Sequence, residues 1–232
     1  MDWTLAIKRN REALSRILAA LIALVGLPEH EPAGGQQTLP RHLHAQALRI
    51  LRAAESAIRR LVVIAAREAQ PRPAGARPDF AALRNRNEPA GANARIPAFP
   101  LLDPLKRYSF EPPRPASKFM PRICVVGITE PAPIPEKPVA SPDDAVDATG
   151  LYRRLLSSRR ALANLPREAR RLARWYRRNR LKLIQSQGRG RASPLRMGRP
   201  PGGRKRSIHL VDDTLRECQA LALDALDPPN TS

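Results

Sequence analysis

Apolar residues recur at Trp3, Ile7, Leu14, Ile17, Leu21 and Leu24, with Asn10 in the one gap, so the spacing runs 4-3-4-3-4-3. This is the seam of a coiled-coil-like helix. Asp2 supplies an N-cap, and Gly26 with Pro28 supplies the stop. A polar residue in such a seam fixes register at some cost in stability, which is the role expected of Asn10. A second seam follows at Leu43, Ala47, Ile50, Ala54, Ala57, Leu61 and Ile64, widened by Leu48, Leu51, Ile58 and Val62. Its start falls at Thr38-Leu39-Pro40, with Thr38 or Leu39 as cap and Pro40 in the first turn. Two long helices joined by a loop of about ten residues predict an antiparallel hairpin over residues 1–69. Ala47, Ala54 and Ala57 let the first helix approach closely.

The second half repeats the helical period in a more basic form. Leu151, Leu155, Leu162 and Leu165 line one face of a helix that Pro166 interrupts, and Asn164 or Leu165 can cap the next one. At 100° per residue, Arg167, Arg170, Arg171, Arg174, Arg177 and Arg178 fall within an arc of about 120°. Ala169, Leu172, Ala173, Tyr176 and Leu183 take the opposite arc, so this is a basic amphipathic helix. A flexible Arg/Gly loop is expected over 185–207. A last helix carries Ile208, Val211, Leu215, Cys218, Ala222 and Ala225 on one face, with Cys218 as a small core residue.

Sixteen of the 25 prolines lie between Pro71 and Pro142, which predicts a mostly irregular linker over 70–142. Two islands, Arg107 to Phe110 and Arg122 to Val126, could each form a strand or dock on the helices. The expected fold is therefore mainly α. An N-terminal antiparallel hairpin joins a C-terminal basic helical region, 143–226, through a long Pro-rich, largely disordered linker.

Composition sharpens this picture. Of 232 residues, 41 are Lys or Arg and 21 are Asp or Glu, a formal net charge of +20. Residues 151–206 hold 17 Arg and two Lys against one acid, Glu168, a net +18, so the remainder is nearly neutral. Codon bias explains Arg over Lys but not the exclusion of acids from one stretch. A local surplus of this size points to a polyanionic partner. Aromatics make up 4% of the chain, too few for a large enzyme-type core. Two cysteines build neither a disulfide scaffold nor a multi-cysteine metal site. No run approaches the roughly 20 apolar residues of a membrane span. Ile17 to Leu27 is an apolar run behind basic residues, yet it lacks a cleavage site and continues the seam, so a cytoplasmic location is expected.

Candidate chemistry is sparse. His42 and His44, two apart, point about 200° from each other on a helix and cannot share an ion, so no metal is expected. Asp143, Asp144 and Asp147 precede the basic half and are expected to cap its first helix. No nucleophile elbow, phosphate-binding glycine loop or Cys/His pairing is present, and neither catalytic residues, a cofactor nor a small-molecule substrate is expected.

Two resemblances carry further expectations. Gly198-Arg199-Pro200 with Arg204, Lys205 and Arg206 resembles an AT-hook, which lays a Gly-Arg-Pro core in the minor groove of A·T-rich DNA. Met197 departs from the arginine of that motif and removes one of the two groove-entering guanidinium groups. A flexible basic loop is the plainer reading. The N-terminal third resembles a family of small Arg-rich α-helical bacterial proteins with no assigned activity. Met1-Asp2-Trp3, Arg9 to Leu14, Thr38 to His44 and Leu51 to Leu61 carry that likeness. It implies that Arg41, His42, His44 and Glu55 belong to a motif. The plainer account is helix-start chemistry plus an intrahelical pair of Glu55 with Arg59.

The expected function is non-enzymatic attachment to nucleic acid. Arg170, Arg171, Arg174, Arg177 and Arg178 would meet phosphates, with Arg167, Arg199, Arg204, Lys205 and Arg206 adding charge. The alternative is an anionic membrane surface, or a homo-oligomeric scaffold built on the hairpin.

Overall fold

The computed structural model describes residues 2–26, 37–67, 96–105, 141–185 and 191–226. The chain divides into two compact units, Met1–Pro104 with Pro142–Ser232, and Leu105–Ser141. All the described elements belong to the first. They are α1 (Trp3–Val25), β1 (Thr38–Pro40), α2 (Arg41–Ala66), β2 (Ala145–Asp147), α3 (Thr149–Ala163), α4 (Leu165–Gln185) and α5 (Leu210–Leu226). The fold of this unit is mainly helical.

The first helix obeys its local signals. Asp2 caps α1 by accepting from the amides of Thr4 (3.0 Å) and Leu5 (3.1 Å), and Gly26 ends it in the left-handed conformation at φ 66°. The Arg67 guanidinium lies 4.9 Å over the Trp3 ring, so the end of α2 meets the start of α1 and the hairpin is antiparallel. The apolar seam is buried through Leu14, Ile17 and Leu21, but it finishes on Val25 rather than on the exposed Leu24.

Helix α2 is the axis of the unit and packs against α1, α3, α4 and α5. Every residue from Ala53 to Ile64 is buried, not only the seam. Leu51, Ile58, Leu61 and Ile64 are among its largest sealed side chains, each worth about 1.5–3 kcal/mol of burial. The N-terminal hairpin and the C-terminal basic helices thus share one core, with α2 between them.

Three expectations change here. Thr38–Pro40 is a strand, not the first turn of α2, and Pro40 itself is the residue before the helix, without a side-chain cap. It pairs antiparallel with β2 in the register Thr38↔Asp147, Leu39↔Val146 and Pro40↔Ala145. Asn10 does not set register against α2. It is buried against α5, where Oδ1 accepts from the Cys218 thiol (3.4 Å) and Nδ2 donates to Glu217 Oε1 (3.3 Å) and Ala6 O (3.0 Å). Cys218 is a sealed core residue, and burial pushes its thiol pKa up to about 12.

The third change concerns the proline-rich stretch. Within it, residues 96–105 form no regular element but enter the core through Phe99 and Asp103. The islands at 107–110 and 122–126 lie outside the described residues.

Candidate functional site

Helix α4 presents the basic face. Leu165, Ala169 and Leu172 are buried, and these residues hold the first two turns against the unit. Their opposite arc then carries Arg167, Arg170, Arg174, Arg177 and Arg178, all exposed. Among the described residues none of these five is paired with an acid; Arg170 Nε donates to Pro166 O at 3.1 Å. Lys182 in the last turn adds a charge where the helix dipole favours it.

Arg171 departs from the expected role. Its guanidinium bonds the buried Glu168 carboxylate and donates to Phe99 O at 3.3 Å, so it fastens the 96–105 segment to α4. Beyond Leu172 no residue of α4 is fully buried, and Leu181 and Ile184 are 58% and 70% exposed. Tyr176 packs edge-on against Trp175, and burial raises its phenol pKa to about 12.

The loop after α4 is anchored where it is described. Arg191 accepts from Asn179 of α4 through its carbonyl, while its guanidinium donates to Asp103 O (2.6 Å) and Ser193 O (2.7 Å). Further on, Gly203 N donates to Pro200 O at 3.0 Å, and Gly202 sits at φ 80°. Proline followed by a positive-φ glycine is the signature of a type II turn. A Cβ on Gly202 would lie 2.7 Å from the Ala53 amide nitrogen, so this turn rests directly on the backbone of α2. Arg199, Lys205 and Arg206 are exposed and Arg204 is half-buried, while Arg196 folds back to donate to Arg199 O at 2.8 Å. The AT-hook-like core is therefore part of a turn seated on α2, whereas the arginine stripe is on α4.

The motif residues of the N-terminal third fall in two places. Arg41 N and His42 N donate to Asp144 O (2.9 Å) and Pro142 O (3.0 Å), extending the β1–β2 ribbon. His42 Nδ1 also lies 3.4 Å from Asp143 Oδ1, and Arg41 Nε lies 3.8 Å from Asp144 Oδ2. Two of the three aspartates expected at the first basic helix thus belong to the start of α2. Only Asp147 serves α3, accepting from Thr149 N (2.9 Å) and Oγ1 (2.6 Å). His44 is half-buried.

Glu55 does not pair with Arg59. It accepts both Nε and Nη2 of Arg154 on α3, each at 2.8 Å, and this bidentate bond holds the Arg154 pKa above its ordinary value. Arg59 instead gives Nε to Asp103 Oδ1 at 2.8 Å. Arg60, sealed from solvent, donates to Asp103 Oδ2 (3.0 Å), Ser56 O (2.8 Å), Ser56 Oγ (2.6 Å) and Gln219 Oε1. Desolvation lowers the Arg60 pKa, opposed chiefly by the Asp103 charge. Sequence reasoning missed Arg60, Asp103 and Arg191 as a connected set, and Arg154 as the partner of Glu55. The available signal was Arg59-Arg60 adjacent on a helix whose two flanking faces were already apolar.

Between α2, α3, the 96–104 segment and Pro201 lies an open cleft of about 630 Å³, with Arg52, Glu55, Arg59, Arg154 and Ser157 in its wall. Among the described residues no group of three or more His, Cys, Asp and Glu side chains comes together to hold a metal, and no helix is long and apolar enough to cross a membrane. No family model, curated protein or solved structure matches this chain.

Proposed function

We propose that this is a non-enzymatic binding protein that attaches to nucleic acid through the exposed face of α4. The observation that carries the proposal is a single helical face with Arg167, Arg170, Arg174, Arg177 and Arg178 in solvent and no acid paired to them among the described residues. Guanidinium groups in a row at helical spacing meet the phosphates of a duplex or a structured RNA and release condensed counterions. Such contacts position a protein without reading sequence, so the binding is general. Arg199, Lys205 and Arg206 add exposed charge from the neighbouring loop.

The test is a duplex titration at rising salt. Five phosphate contacts give a slope of log affinity against log salt of about −4.5, or a loss of roughly 500-fold between 50 and 200 mM. Replacing the five arginines by Gln should flatten that slope and leave the helix content unchanged. A flat slope in the natural chain, or no binding at 50 mM salt, overturns the proposal.

One observation favours a second reading. Leu181 and Ile184 are exposed on the same helix as Arg177, Arg178 and Lys182, the composition of a helix that lies in an anionic membrane surface. Sedimentation with anionic and neutral vesicles separates this from nucleic-acid binding.

A further inference from the structure

Among the described residues, the cleft beside α2 carries positive charge that no carboxylate neutralises. Arg154 and Glu55 cancel each other through their bidentate bond. Asp103, however, is the only carboxylate among the described residues paired with Arg59 and Arg60, and the side chains of all three are 4% exposed or less. One buried positive charge is left over, and burial makes that costly unless an anion compensates it. Arg59 borders the cleft with only Nε committed to Asp103, so its terminal nitrogens have no partner among the described residues. Arg52, exposed and without an acidic partner there, adds a second positive charge to the same wall.

An independent observation points the same way. Ser157 belongs to the same wall at 4% exposure, and its hydroxyl, itself sealed from solvent, has no hydrogen-bond partner among the described residues. Buried hydroxyl groups in folded proteins are normally satisfied, and an orphan in a cavity wall marks a place for a polar ligand atom. The remaining wall is apolar, with Pro97, Pro100, Leu102 and Pro201 facing the space.

We propose that this cleft binds a small organic phosphate. The two surplus charges match a phosphate dianion, which the forked guanidinium groups of Arg52 and Arg59 bind side-on. The Ser157 hydroxyl, sealed in the free protein, turns to donate to the phosphate or its ester oxygen. The volume exceeds what a phosphate alone fills and lies in the range of small-ligand sites, so the flat proline faces take an apolar body. The site is distinct from the α4 stripe and uses none of its arginines.

The test is calorimetric titration of the full chain with inorganic phosphate, phenyl phosphate and phenol. Phenyl phosphate should bind at least tenfold more tightly than inorganic phosphate, and phenol should not bind. Arg52→Ala, at an exposed side chain, should weaken phenyl phosphate at least tenfold, and Ser157→Ala several-fold, with unchanged circular dichroism. Duplex binding and its salt slope should survive Arg52→Ala. Equal affinity for phosphate and phenyl phosphate overturns the proposal, as does an Arg52→Ala variant that binds normally. Loss of duplex binding in Arg52→Ala in step with phenyl phosphate overturns it too, since the cleft would then hold backbone phosphates. So does loss of phenyl phosphate binding in the five-Gln variant of α4.

Discussion

Asp103→Ala is the sharpest perturbation of this fold. The carboxylate accepts from Arg59 Nε (2.8 Å), Arg60 Nη2 (3.0 Å) and the Arg196 amide (3.3 Å), with no exposure of its side chain. Removing it strands two guanidinium groups. Arg59 borders an open cleft and can turn toward water, but Arg60 is sealed and cannot. Breaking a buried pair by deleting one partner costs about 3–5 kcal/mol, most of it the desolvation of the orphaned charge. Against a total stability of about 5–15 kcal/mol that is a large share. The exposed pair Arg216–Asp213, at 3.7 Å with both side chains more than half exposed, is the control, and Asp213→Ala should cost under about 1 kcal/mol. Urea unfolding followed by circular dichroism measures both. Because the orphaned charge causes the loss, Asp103→Leu combined with Arg60→Met should be more stable than Asp103→Ala alone. A cost below about 1 kcal/mol for Asp103→Ala, or a double variant no better than the single, would refute the reasoning.

Two further outcomes follow from local geometry. Gly202→Ala and Gly198→Ala both place a side chain at positive φ, but only the first drives a Cβ to 2.7 Å from backbone, with nothing within 4 Å of the second. Gly198→Ala should therefore cost about 1 kcal/mol and Gly202→Ala clearly more, read as shifts in urea midpoint. The hydrogen bonds from the Thr149 hydroxyl and amide lower the Asp147 pKa below its ordinary 3.8. A depressed carboxylate contributes stability above its unfolded pKa and loses it as pH falls through the folded value. The stability gap between the natural chain and Asp147→Asn should thus be constant above about pH 5 and close below pH 3.8; a gap independent of pH would contradict this assignment.

Legibility in the sequence followed the range of the interaction. The Asp2 cap, the Gly26 stop and the break at Pro166 are decided within a few residues, and each was readable. The apolar stripes of α1, α2 and α5 were readable for the same reason, as was Cys218 among them, except that Ile208, expected on the last stripe, precedes α5 and is 64% exposed. The β1–β2 ribbon was not, because three residues per strand show no alternation and Pro40 suits a helix start equally well. The burial of Ser56, Arg59 and Arg60 on α2 was not readable, because their cover comes from far along the chain. Asp103 lies more than forty residues away, and Gln219 well over a hundred. The α4 stripe was placed correctly by its period. What periodicity could not reveal is that Arg171 is withdrawn from it by Glu168 and by a carbonyl from the 96–105 segment.

The formal charge of +20 therefore describes two kinds of arginine with different physics. Arg59 and Arg60 are held by Asp103 inside the core, where salt screens little, while Arg154, Arg171 and Arg191 are held by carboxylates and carbonyls at its edge. Arg167, Arg170, Arg174, Arg177 and Arg178 stand in water, where the Debye length is about 8 Å at physiological salt and counterions compete directly. Ionic strength thus acts on the α4 face and hardly on the core. A duplex titration across 50–200 mM salt consequently reads the face of α4 rather than a loosening of the fold, because the arginines sealed in the core, Arg59 and Arg60, are the least screened.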